Sequence, residues 1–163
     1  MIKNRRAFII GIKSTTLSNK EEIFLKKYKP WGVILFSRNI KEFKQTKKLT
    51  SDIRLIFKDK KYPILIDQEG GRVNRLNNLI EASIFTAEYF GNLYKKNRNN
   101  FFNYYKVYIS QISYLLNELG ININTVPVLD VRKSRSTNII GDRSYSSIPK
   151  NVFNIGDFCI AKF

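Results

Sequence analysis

The densest group of side chains able to do chemistry is Asp67-Gln68-Glu69-Gly70-Gly71-Arg72-Val73-Asn74-Arg75. Two carboxylates and two arginines surround a double glycine, which admits backbone conformations and a close ligand approach that other residues resist. The apolar Ile64-Leu65-Ile66 runs straight into it, so these groups sit at the end of a candidate strand. Asp130 follows Val126-Pro127-Val128-Leu129 in the same way, and Gly141-Asp142-Arg143-Ser144-Tyr145-Ser146 follows Ile139-Ile140. Carboxylate acceptors and forked guanidinium donors satisfy several hydroxyls at once, so this set suits a polyhydroxylated ligand such as a sugar. The same residues also allow a purely structural reading, with Asp67 or Glu69 paired to Arg72 or Arg75 and Asp142 paired to Arg143. Neither glycine cluster has the spacing of a P-loop or a dinucleotide fingerprint, so a phosphate cradle is disfavoured.

Missing residue types narrow the chemistry further. There is no histidine and only one cysteine, Cys159. Zinc fingers, serine triads and disulfide scaffolds are therefore out, and neither a metal nor a cofactor is expected. A net charge of +16 with 13% aromatic residues invites a nucleic-acid reading. Against it, the basic residues are scattered from Lys3 to Lys162 with no motif tying aromatics to a basic stripe. The 19 Lys, 22 Ile and 17 Asn fit the bias that an AT-rich genome imposes on any protein. The start, Met1 to Arg6 and then Ala7 to Ile12, has the charge order of a signal peptide. Its apolar run is shorter than the roughly 7 to 15 residues of an h-region, and no stretch approaches the roughly 18 needed to span a bilayer. The expectation is a soluble, cytoplasmic protein without nucleic-acid or membrane partners.

The elements that must position these residues are four nearly continuous apolar runs: Ala7 to Ile12, Trp31 to Phe36, Tyr62 to Asp67 and Ile121 to Asp130. Continuity rather than alternation predicts strands buried on both faces of a parallel sheet. Ser18 with Glu21 predicts a capping box opening a helix through Tyr28. Asn39 is read as the cap of a longer helix carrying Phe43, Leu49, Ile53, Ile56 and Phe57. A third helix spans Asn103 to Leu119, with Gly120 as its C-terminal cap, and another starts near Pro149. Asn77 to Asn100 reads as a long loop with one short helix around Phe85 to Tyr94. Strand and helix alternate, which predicts an α/β fold built from right-handed βαβ crossovers. In such folds ligands bind at the carboxyl ends of the strands, where the candidate residues stand.

Four blocks carry a resemblance. Trp31-Gly-Val-Ile-Leu-Phe-Ser-Arg-Asn39, Ile66-Asp-Gln-Glu-Gly-Gly-Arg-Val-Asn-Arg75, Pro127-Val-Leu-Asp-Val131 and Ile140-Gly-Asp-Arg-Ser-Tyr145 resemble, in order and approximate spacing, bacterial β-N-acetylhexosaminidases of glycoside hydrolase family 3. The resemblance implies a partial (β/α)8 TIM barrel, with residues 1–163 as the amino-terminal half of a catalytic barrel and no second domain. It implies a cytoplasmic glycosidase that removes terminal N-acetylglucosamine from peptidoglycan fragments during cell-wall recycling, with muropeptides as the carbohydrate partner. Position by position, Asp67 matches an aspartate that binds sugar hydroxyls. Arg75 and Arg143 match arginines that line the substrate pocket, Asp130 matches a supporting position, and Glu69 has no catalytic role by this mapping. A complete barrel typically needs about 250 residues. The family's nucleophile and Asp-His acid/base dyad are expected beyond Phe163, which leaves substrate-binding residues and no catalytic residue here. A half barrel has open strand edges, so self-association or a complementing carboxy-terminal half is expected. The competing expectations are a catalytically dead relic or sugar-binding module and, less favoured, a basic nucleic-acid-binding domain.

Overall fold

The computed structural model describes residues 4–133 and 139–163, so Met1, Ile2 and Lys3 of the basic start lie outside the described residues. The chain forms β1 (Arg6–Gly11), α1 (Asn19–Tyr28), β2 (Pro30–Leu35), α2 (Phe43–Phe57), β3 (Ile64–Ile66), α3 (Ala87–Lys96), α4 (Arg98–Glu118), β4 (Ile123–Asn124) and α5 (Pro149–Ile160). It divides into two compact units. The first comprises Met1–Asp67, Arg75–Ile80 and Leu116–Asn124, and the second Gln68–Asn74, Glu81–Leu115 and Thr125–Phe163.

The first unit holds a four-stranded parallel sheet in the order β1-β2-β3-β4. Each strand pairs with the next in sequence and helices fill every connection, which is the order of successive strands in a (β/α)8 barrel. Val33, Leu35, Ile64, Leu65 and Ile66 are buried, as the continuous apolar runs require. β1 departs from that expectation: among the described residues it pairs only with β2, and Ile9 is 46% exposed. The capping box forms, since the Ser18 side chain accepts from the Glu21 amide while the Glu21 carboxylate accepts from the Ser18 amide. α2 turns Thr46, Leu49, Thr50 and Ile53 inward at helical spacing. Gly120 closes α4 at φ +75°, where a Cβ would stand 2.7 Å from Thr50 Oγ1.

Two sequence expectations fail in this unit. Asn39 does not cap α2, which starts at Phe43 behind Glu42. Asn39 is instead fully buried, donating its amide to the carbonyls of Ile12 and Ser14 and accepting from the Phe36 amide. The fourth apolar run gives only the two-residue β4 rather than a strand to Asp130. Pro127 has no N–H to offer a ladder, and the Asn122 side chain takes the Ile64 amide at 2.8 Å.

The second unit packs α3, α4 and α5 around Phe90, Tyr94, Phe101, Tyr105, Ile109, Tyr145, Val152, Ile155 and Cys159. Its aromatic rings are in close contact, with centroids 4.3 Å apart for Phe90 and Tyr105 and 5.0 Å apart, edge to face, for Tyr94 and Phe101. Thr86 caps α3 by accepting from the Tyr89 amide. α4 begins at Arg98, five residues before the expected start, because the Asn97 side chain accepts the Asn100 amide. α5 begins with Pro149, whose missing N–H costs nothing in a first turn.

Candidate functional site

Asp67 directly follows β3 and Phe36 directly follows β2, so both stand at carboxyl ends of parallel strands. The Asp67 carboxylate approaches Arg75 at 3.8 Å, and both side chains are 28% exposed. The Arg75 guanidinium lies 5.6 Å from the centre of the Phe36 ring, and Arg38 lies 4.5 Å from the same ring. Arg38 is held by donating its Nε–H to the Ile12 carbonyl at 3.0 Å. The sequence placed Asp67 and Arg75 among the candidates, and the structure brings them together. It did not single out Phe36 or Arg38, although both lie in the Trp31–Asn39 block immediately after a strand.

In the second unit the double glycine makes a tight reversal. Gly70 and Gly71 have φ of +90° and +56°. A Cβ on Gly70 would fall 2.3 Å from the Phe85 carbonyl oxygen, and one on Gly71 would fall 2.7 Å from the Thr86 methyl. The Val73 amide donates to Gly70 and the Glu69 amide to Val73, which closes the turn. Gln68 is buried and donates to the Asn74 side chain at 3.0 Å.

Arg143 sits in the single helical turn Gly141–Arg143. Its Nε and Nη2 both donate to the Glu69 carboxylate at 2.8 Å, with the Glu69 side chain only 13% exposed. This corrects the local pairing read from sequence. Glu69 reaches Arg143 rather than Arg72 or Arg75, while Asp142 accepts from Arg72 Nε at 2.9 Å rather than serving Arg143. Arg72 also donates to the Ile139 and Ile140 carbonyls. Adjacent residues, 142 and 143, thus face in different directions to meet two residues of the glycine turn. The Asp130 carbonyl lies 2.6 Å from the Ser144 hydroxyl, which donates to it, so the contribution shown for Asp130 is from its backbone.

The Arg143 segment is seated on tyrosines. Tyr145 and Tyr105 hydroxyls are 2.6 Å apart, and Gly91 of α3 is flush against the Tyr145 backbone. Burial pushes Tyr108 up to about 12 and also raises Tyr105 and Tyr145 above the usual tyrosine range. Burial likewise raises the Cys159 thiol, so it is an unreactive core group. A cavity lined by Glu69, Tyr105, Tyr108, Val126, Arg143 and Tyr145 has only about 20 Å³, room for one water and not for a sugar ring. Among the described residues, no helix is long and apolar enough to cross a membrane, and no group of three or more metal-ligating side chains occurs.

Comparison with known proteins now bears on these residues. The glycosyl hydrolase family 3 N-terminal domain profile matches residues 7–161. Beta-hexosaminidase A of Pseudoalteromonas piscicida is 34% identical over 147 residues, which are 87% of this chain and 24% of that protein. The beta-hexosaminidase of Xanthomonas campestris pv. campestris (strain B100) is 30% identical over 144 residues, 88% of this chain and 42% of that one. In three dimensions the fold is similar to NagZ from Neisseria gonorrhoeae in complex with N-trifluoroacetyl-D-glucosamine. That match has a TM-score of 0.85 and 25% identity, covering 95% of this chain and 46% of NagZ. The chain thus spans less than half the length of each of these relatives.

Proposed function

Because the chain belongs to glycosyl hydrolase family 3, we propose that it supplies the substrate-binding residues of a β-N-acetylhexosaminidase that removes terminal N-acetylglucosamine. Its substrates are peptidoglycan fragments, and its setting is cell-wall recycling in the cytoplasm. Asp67, Arg75 and Arg143 hold the sugar: the aspartate accepts from ring hydroxyls, and the guanidinium groups donate to hydroxyl and acetamido oxygens. The observation that carries this reading is the position of Asp67. It is a partly exposed carboxylate at the carboxyl end of a buried parallel strand, in loose contact with an arginine on an aromatic face.

The intact reaction is a double displacement through a covalent glycosyl intermediate, which needs a nucleophile and an acid/base on either side of the glycosidic bond. By the family resemblance neither role falls to Asp67 or Glu69. The role of these residues is to hold and orient the sugar, which lowers the barrier by fixing the reacting geometry.

Isothermal titration tests the proposal. N-acetylglucosamine should bind saturably and more tightly than glucose, and Asp67→Ala should abolish the heat signal while the variant remains folded. A folded wild-type protein that gives no saturable binding would overturn the reading. Binding of nucleic acid that falls steeply with salt and ignores Asp67→Ala would favour the basic-domain alternative.

A further inference from the structure

We propose that Glu69 is a positioning residue for Arg143, orienting the guanidinium toward the sugar without touching the sugar itself. The inference rests on the reading of Arg143 as a sugar ligand and extends it to a residue that the family resemblance leaves without a catalytic role.

The argument begins with the shape of the arginine head. A guanidinium is planar and carries its donors in a rigid fork, but a long flexible stem lets that fork swing unless something fixes its plane. Glu69 fixes it by accepting from Nε and Nη2 at once, both at 2.8 Å. Two parallel bonds determine the rotation as well as the position of the plane, which one bond alone does not do. The plane is then set before any ligand arrives, and less conformational entropy is lost on binding.

Glu69 suits this work because it is itself immobilised. Its side chain is 13% exposed, its amide donates to Val73, and Tyr108 Oη approaches its carbonyl at 3.5 Å. The arginine side is held equally. Ser144 is tied to the Asp130 carbonyl, Tyr145 is bonded to Tyr105, and the neighbouring Asp142 is anchored by Arg72. The cavity that Glu69 and Arg143 both line accommodates about one water.

A double-mutant cycle on N-acetylglucosamine affinity is the test, using Glu69→Gln, Arg143→Ala and the two combined. Glutamine keeps the length of the side chain but loses the charge and one acceptor, so Glu69→Gln should weaken binding about tenfold. Arg143→Ala should weaken it about thirtyfold, and the double variant should match Arg143→Ala within about twofold, because Glu69 acts only through Arg143. If Arg143→Ala weakens binding and Glu69→Gln does not, the positioning role is wrong while the sugar-ligand reading stands. If the two effects multiply, Glu69 contacts the sugar directly and the inference fails. If Arg143→Ala changes nothing, the reading of Arg143 itself fails and takes the inference with it. Should Glu69→Gln not fold, the wild-type Arg143 Nε–H resonance decides. It should be protected from solvent exchange and remain so at saturating sugar; loss of protection on binding would mean that the sugar displaces Glu69.

Discussion

Asp67 and Glu69 are two residues apart and each meets an arginine, yet the two pairs are built for different work. Asp67 approaches Arg75 at 3.8 Å, and both side chains remain 28% exposed. Glu69 grips Arg143 twice at 2.8 Å and is more than four-fifths covered. Asp67 keeps a solvent-facing part through which ligand hydroxyls can reach it, at 28% exposure against 13% for Glu69. Removing Arg143 would leave the largely covered Glu69 carboxylate without its bidentate partner, which is costly even though Arg143 itself is 28% exposed. The difference teaches that the more exposed carboxylate is suited to meet a ligand and the more covered one to hold an arginine in place.

The comparison breaks hardest at Gly91. A Cβ there would lie 1.7 Å from the Tyr145 carbonyl oxygen, two residues after Arg143, and backbone cannot yield as a side chain can. Gly91→Ala should therefore cost about 3 kcal/mol in urea unfolding, and an unchanged midpoint would show that the Arg143 segment is not seated on α3. Next in size is Asp67→Ala, for which sugar affinity should fall by roughly thirtyfold or more while unfolding free energy moves by less than about 1 kcal/mol. A stability loss without a binding loss would reverse the roles assigned to the two pairs.

Alkaline pH sharpens the account through the tyrosines. Burial raises Tyr62, Tyr105, Tyr108 and Tyr145, so the folded chain keeps phenolic protons that the unfolded chain gives up near pH 10. Their contribution is fully present below pH 10 and is lost as pH climbs through the folded values. For Tyr108, held at about 12, the loss by pH 12 should be roughly 2 kcal/mol. Tyr108→Phe should flatten that limb of the stability curve, and an unaltered limb would contradict the assignment. The smallest effect is expected from Arg72→Ala. Its pair with Asp142 is 45% and 36% exposed, so stability should fall by no more than about 0.5 kcal/mol and affinity by less than about twofold.

What could be read from sequence was what short-range physics decides. The Ser18 and Glu21 capping box needs only two bonds within one turn, and it forms as expected. β2 and β3 were legible because burial on both faces demands uninterrupted apolar residues. Asn39 misled because asparagine is a good cap, and nothing local says that its amide is spent on carbonyls 25 and 27 residues away. The run ending at Asp130 had the composition of a long strand, but apolar content does not reveal how many residues find a ladder partner. In the candidate site, Asp67 with Arg75 lay within one short block and was foreseeable. Glu69 with Arg143 spans 74 residues, and Asp142 stood next to Arg143 as an equally good partner on paper. Only the fold chooses between them.

The central claim, that the Asp67 and Arg143 segments meet N-acetylglucosamine, is tested most directly by titrating the sugar into uniformly labelled protein and following backbone amide resonances. The account predicts saturable shifts, with one affinity, in both Asp67–Arg75 and Gly141–Ser144, and little change along α2. Shifts confined to one of the two segments, or none at a sugar concentration well above that of the protein, would contradict it.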